Sequence, residues 1–284
     1  MVRCGRDIPC AWCPLPFIFH LEPEDRAAMN IRKIAGRQPD YFDINREERN
    51  HAAILFAALC RPESVRAFMR LIGVEATIGP EFGIYFEYAY LRDLWHTIAD
   101  DVTRREIIRQ KLPICDIDAI MRRPAVEINR LFGVAGTPSQ DQIQYPGKWS
   151  ISKYSSHFQD NDDFLKICRF KWSFNIKPDI VIHLDRNCAV CIEAKYESGE
   201  GSYPSAEADK AIFRQRGIQQ YVGQTELQRY MMQDLLGVQT DFLFLVHRPE
   251  RSATHRVITW AEVFSVLDLS AMPDFAVRMA RAIS

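Results

Sequence analysis

The chain has no run of about 18 consecutive apolar residues, so nothing in it is expected to span a membrane. It has no Walker-type phosphate loop and no GxGxxG turn, which removes ATPase and dinucleotide-enzyme readings. An excess of one charge is also missing. Over 284 residues, 36 Lys+Arg against 37 Asp+Glu leave a net charge of -1. Surfaces that hold phosphates carry a basic footprint. Any such surface must therefore be local here, or supplied by a homo-oligomer or a protein activator. No internal repeat or low-complexity tract is found, and the N-terminus lacks the charged-then-apolar layout of a secretory signal. Eight cysteines, several inside apolar runs, are expected as reduced thiols in a cytoplasm.

What is present suits an ordinary globular protein: 47% of residues are hydrophobic, and the length suffices for a real core. Residues 1–28 are expected to form a poorly ordered or extended segment, with Met29 as a second candidate start. Within it, Cys10-Ala-Trp-Cys13 has zinc-ligand spacing, and Cys4 and His20 could complete a set of four. The flanking prolines restrict that loop and a single CxxC is a weak signal, so no metal is expected there.

Residues 29–136 are expected as a helical domain. Asn45 with Glu48 reads as a capping box, and Pro62 opens a second helix that Gly73 stops. From Gly83 to Ile98, Ile84, Tyr88, Leu91, Trp95 and Ile98 fall on one helical stripe. Short helices follow at 104–110, 117–121 and 126–132. A polar stretch with Pro138 and Pro146 marks the expected boundary, and 137–284 form the second domain. There, a short helix near 162–167 precedes Phe170, Trp172 and Phe174, whose alternation with Arg169, Lys171 and Ser173 predicts a half-buried strand.

The stretch from Phe174 to Gly201 carries the most information. Two β-branched runs flank the turn formers Asp185-Arg186-Asn187, a hairpin signature. With the turn centred on Arg186, partners sum to 372, and Asp179 lies opposite Glu193. Directly opposed residues share a face, as does Lys195 two positions on. Even positions such as Ile180, Ile182, Val190 and Ile192 then form an apolar face. Odd positions gather Lys177, Asp179, His183, Glu193, Lys195 and Glu197. A slip of one residue would drive Asp179 into the core.

Pro178-Asp179 followed by Glu193-Ala194-Lys195 resembles the PD-(D/E)XK nuclease superfamily. The resemblance implies an α/β restriction-endonuclease-like αβββαβ core with a mixed sheet, behind the helical domain. It also implies Mg²⁺ or Mn²⁺ held by Asp179, Glu193 and the Ala194 carbonyl, with Lys195 beside the attacking water. Family members often add an acid from a helix before the sheet, and Glu87 is the candidate here. The iron-sulfur pattern of some members uses cysteines after the core, whereas this chain has none after Cys191.

Beyond the hairpin, helical sequence is expected from 206 to 236 with a break at Gly217 and a stop at Gly237. Lys210, Arg214 and Arg216 form a basic cluster suited to phosphates. Gln224 and Gln228 share a helix face and are candidate substrate contacts. Phe242 to Val246 reads as a strand buried on both faces, with His247 at its end. Thr259 with Glu262 caps a further helix, and a last amphipathic helix covers 275–283.

The expected function is a metal-dependent phosphodiesterase acting on nucleic acid, DNA before RNA, in defence or repair. The alternative is a catalytically silent module on the same fold that binds nucleic acid or a protein.

Overall fold

A computed structural model of the chain describes residues 41–75, 79–134, 136–196, 199–248 and 256–284. The chain divides into two units, Met1–Ile44 and Asn45–Ser284. The described part of the first is one helical turn, Tyr41–Ile44. Cys4, Cys10, Cys13, His20 and Glu197 lie outside the described residues.

The second unit begins with helices α1 (Glu48–Leu59) and α2 (Pro62–Leu71), then strand β1 (Gly83–Phe86). A helical stretch follows: α3 (Tyr90–Thr97), α4 (Asp101–Lys111), α5 (Ile117–Met121), α6 (Ala125–Leu131), α7 (Ile151–Tyr154) and α8 (Asn161–Ser173). Strands β2 (Ile180–His183) and β3 (Cys188–Ala194) form the hairpin. Then come β4 (Ser202–Tyr203), α9 (Glu207–Gln215), β5 (Val222–Gly223) and α10 (Gln224–Arg229), which widens into a π-turn over Tyr230–Leu235. The chain closes with β6 (Gln239–Val246), β7 (Arg256–Thr259), α11 (Trp260–Val266) and α12 (Asp274–Ile283).

The main sheet has the order β1-β2-β3-β6-β7. The β1–β2 and β2–β3 pairs are antiparallel, while β3–β6 and β6–β7 are parallel. Hairpin partners are Ile180↔Ile192 through His183↔Ala189, so every pair sums to 372 as the turn predicted. The turn holds this register because Asp185 Oδ1 accepts from the Asn187 and Cys188 amides at 2.7 and 2.8 Å.

The predicted apolar face is buried: Ile180, Ile182 and Ile192 are fully covered, each contributing about 1.5–3 kcal/mol. The opposite face departs from expectation. Val181, Ala189 and Cys191 are also buried, in a core that includes Phe164 and Ile167 of α8 and Leu227 of α10. Helices α1, α2, α11 and α12 form the layer on one side, and α8 and α10 the layer on the other. Charge is thus confined to the strand ends.

Two elements are of the other type. The predicted strand at Phe170–Phe174 is the last turn and C-cap of α8, which Asp160 starts by accepting from the Asp163 amide at 2.9 Å. Its aromatics alternate because they pack in two directions. Phe170 and Phe174, four apart, meet at 5.1 Å, while Trp172 faces Tyr203 and Phe213. Conversely, the predicted helix from Gly83 begins as strand β1, which pairs with β2 from the N-terminal side of the boundary expected at 136. Glu87, at φ 52, ends that strand, and a left-handed residue cannot continue either element. The Asn45–Glu48 capping box is not formed. Asn45 Oδ1 accepts from the Glu47 amide, and Glu48 Oε1 accepts instead from the Tyr196 amide at 3.0 Å. The Thr259–Glu262 box is formed, and Pro62 occupies the first turn of α2.

Among the described residues no helix is long and apolar enough to cross a membrane. Cys60, Cys115, Cys168, Cys188 and Cys191 are free thiols.

Candidate active site

Strand direction places the acids together. Strands β1, β3 and β6 finish at the end of the sheet where β2 begins. Glu87, Asp179, Glu193 and Lys195 therefore share one sheet end. Open α/β sheets ordinarily bind ligands outside the carboxyl ends of their strands.

Asp179 immediately precedes β2. Its Oδ2 accepts from the amide of Ala194, the residue after Glu193, at 2.8 Å. Glu193 is 3% exposed and has three donors. Gln224 Nε2 donates to Oε1 and Gln228 Nε2 to Oε2, both at 2.5 Å. Lys195 Nζ lies 2.7 Å from Oε1. The i, i+4 spacing on α10 aims both amides at one carboxylate. Both glutamines, expected as substrate contacts, orient Glu193, and Gln228 is fully buried.

The loop after Lys195 is tied back to α10. Pairing of β4 with β5 brings Gly201 beside Gln224, whose amide donates to the Gly201 carbonyl at 2.8 Å. A Cβ on Gly201 would sit 2.8 Å from Gln224 Oε1, so the glycine makes room for that side chain. Glu200, beside it, accepts from the Thr225 amide at 2.9 Å and from the Thr225 hydroxyl.

The electrostatics follow from burial. Removal from water, then the Glu193 carboxylate, push Asp179 up to about 7, against the Ala194 amide and the Lys195 charge. Burial also raises Glu193, while Lys195 and the two glutamines pull it part of the way back. Burial works most strongly to lower Lys195, yet the charge and hydrogen bond of Glu193, with the Glu48 and Asp179 charges, together outweigh it and the net direction is up. Lys195 is therefore a cation at neutral pH, and the Asp179 carboxyl holds its proton well above the usual aspartate range.

Other predicted residues are placed differently. Glu87 lies on no helix. It follows β1, its amide donates to the Asp179 carbonyl at 2.8 Å, and its carboxylate pairs with Lys177 at 3.0 Å and Arg49 at 3.2 Å. Lys210 pairs with Glu207 at 2.8 Å, and Arg214 approaches the same carboxylate at 3.8 Å. Arg216 is committed to the fold. It donates to the Ser155, Phe158 and Gln159 carbonyls and to Asn161, and it lies 4.1 Å over the Phe164 ring. His247 stacks on Tyr196 at 4.9 Å, and its Nδ1 meets the Ile283 carbonyl at 3.1 Å.

Glu48 and Tyr203 were not singled out by sequence as site residues. The Glu48 charge acts on Lys195, and Glu193 raises the Tyr203 pKa second to burial, so both residues border the cluster. Glu48 was legible only as a helix-start acid, and nothing in its spacing marked it otherwise. Elsewhere, Asp160, Asp162 and Asp163 offer ligand atoms within 4.8 Å of one another, but Lys166 pairs with the last two.

Neither a scan of protein-family models nor searches of curated proteins and of solved structures returned a match.

Proposed function

We propose that the protein is a divalent-metal-dependent nuclease, hydrolysing phosphodiester bonds in nucleic acid, DNA before RNA as the candidate substrate, on a restriction-endonuclease-like core. The observation that carries the reading is the convergence of Asp179 with Glu193 at one sheet end, with Lys195 ion-paired to Glu193. The order α1, β1, β2, β3, α10, β6, with a helical insertion after β1, supports an αβββαβ skeleton.

The donor set suits a hard cation. The Glu193 carboxylate adds to burial in raising half-buried Asp179, and Mg²⁺ or Mn²⁺ among oxygen ligands would remove the cost of two facing carboxylates. Asp179, Glu193 and the Ala194 carbonyl would hold it. Glu87 joins only by exchanging Lys177 and Arg49 for the ion. When bound, such an ion supplies water of lowered pKa and charge neutralisation at the phosphate. The protein's own groups do the rest. Lys195, kept protonated by Glu193, orients the attacking water and faces the developing phosphate charge. Gln224 and Gln228 fix the Glu193 rotamer.

Cleavage of duplex DNA, single-stranded DNA and RNA should be assayed with Mg²⁺, Mn²⁺ and EDTA, for wild type and Glu193→Ala. The reading expects metal-dependent cleavage by wild type alone. Equal activity in both proteins would indicate a contaminant. Tight binding without cleavage by wild type would favour a catalytically silent module.

A further inference from the structure

Beside the acid cluster lies an aromatic group that the nuclease chemistry does not use. Tyr85, Tyr88 and Tyr90 stand in sequence around Glu87, and His183 ends the adjoining strand. Tyr88 is buried, and its hydroxyl meets His183 Nε2 at 3.0 Å. Its ring centroid lies 5.7 Å from those of both Tyr85 and Tyr90, nearly parallel to the latter at 12°. The His183 ring closes the group, 5.7 Å from Tyr85 and 5.6 Å from Tyr88.

The outer two rings face solvent: Tyr85 is 48% and Tyr90 49% exposed, among the largest apolar exposures of the second unit. Tyr85 is also held in place. A Cβ on Gly83 would fall 2.7 Å from the Tyr85 hydroxyl, so the ring lies over the backbone of the edge strand where any other residue would displace it. Tyr85 pairs with Val181, two residues from Asp179, roughly 7 Å along the strand.

Cations stand close to the group. Arg49 and Lys177 share the one Glu87 carboxylate, so that trio carries one net positive charge beside the acid cluster. Arg186, 80% exposed in the β2–β3 turn, pairs with Glu81 at the far end of the platform. Exposed ion pairs of this kind are weak.

We propose that Tyr85 and Tyr90 form a stacking platform for unpaired nucleobases, so that the substrate is single-stranded nucleic acid or a frayed end led past this edge toward Asp179. The proposal rests on the nuclease reading for the identity of the polymer. Every base offers a π-face, so an exposed tyrosine pair binds without sequence preference. A duplex keeps its bases stacked on each other and gains nothing from the platform. Recognition through Lys and Arg alone would not distinguish the two forms.

The test measures equilibrium binding of fluorescein-labelled oligonucleotides in EDTA, where cleavage is silent. The probes are an oligo-dT single strand, the matching single-stranded RNA and a DNA duplex. They are compared for wild type and Tyr85→Leu/Tyr90→Leu, with Tyr85→Trp as a second variant that restores a ring. The double variant should lose roughly 10- to 100-fold in affinity for both single strands, retain duplex affinity and keep its salt slope, and Tyr85→Trp should bind as wild type. Loss confined to the RNA or to the DNA strand would narrow the platform to one sugar, still by stacking. Unchanged single-strand affinity, or equal loss on duplex, would overturn the platform. Metal-dependent duplex cleavage in parallel would then leave the nuclease reading standing. A change in sedimentation of the double variant without a change in binding would instead assign this face to self-association.

Discussion

Replacing Asp179 by Asn should stabilise the protein at alkaline pH while removing its proposed activity. In the unfolded chain an aspartate titrates near 3.9, whereas burial and the Glu193 charge push folded Asp179 up to about 7. Between pH 4 and pH 7 the unfolded chain has released this proton and the folded chain has not. Stability therefore falls as pH rises across that window. Three units correspond to at most about 4 kcal/mol at pH 8. Solvent at the half-buried carboxyl screens part of it, leaving about 1–3 kcal/mol. Asn removes the charge but keeps an oxygen for the Ala194 amide. The assay is thermal unfolding of both proteins in EDTA at pH 5 and pH 8. At pH 5 the difference should be only about a third of its pH 8 value, because the unfolded aspartate is already ionised there while folded Asp179 is still neutral. At pH 8 the variant should melt roughly 3–10 °C higher, taking a few degrees per kcal/mol for a unit of this size. Buried His51 and half-buried His183, whose pKa values are lowered by desolvation, push the absolute slope the opposite way below about pH 6.5. The difference between the proteins is the observable for that reason. The same difference at both pH values would refute the account of the acid pair.

Lys195→Ala should reduce turnover by about 100-fold or more while metal binding persists, because the lysine is assigned to water and phosphate and not to the ion; parallel calorimetry and cleavage assays check this. Arg216→Ala should cost about 2–4 kcal/mol in urea unfolding, since it leaves the carbonyls of Ser155, Phe158 and Gln159 without their donor; a change in nucleic-acid affinity at unchanged stability would return it to the phosphate-contact role its sequence suggested.

The hairpin was legible because two independent constraints agreed. Alternation of Ile180, Ile182, Val190 and Ile192 set which residues face the core, and the Asp185 turn set the register. Gln224 and Gln228 were legible as a helix-face pair, but their partner was not, since Glu193 is 31 and 35 positions away. The first strand was misplaced because local pattern is ambiguous over four or five residues. Ile84 and Tyr88 match a helical stripe by chance, and only the left-handed backbone at Glu87 reveals the break. Phe170, Trp172 and Phe174 alternate like a strand because α8 is buried on two sides. The burial of Val181 and Cys191 was invisible for a related reason. Which helices cover the second sheet face is a tertiary fact that the strand's own sequence does not carry.

Titration with Mn²⁺, followed by electron paramagnetic resonance, tests the central claim most directly. Wild type, Asp179→Asn, Glu193→Ala and Asp162→Ala would be compared at pH 8. The account predicts a bound ion in wild type and Asp162→Ala that is lost in both Asp179→Asn and Glu193→Ala. Binding that survives Glu193→Ala but disappears in Asp162→Ala would contradict it, placing the metal in the exposed group at the start of α8.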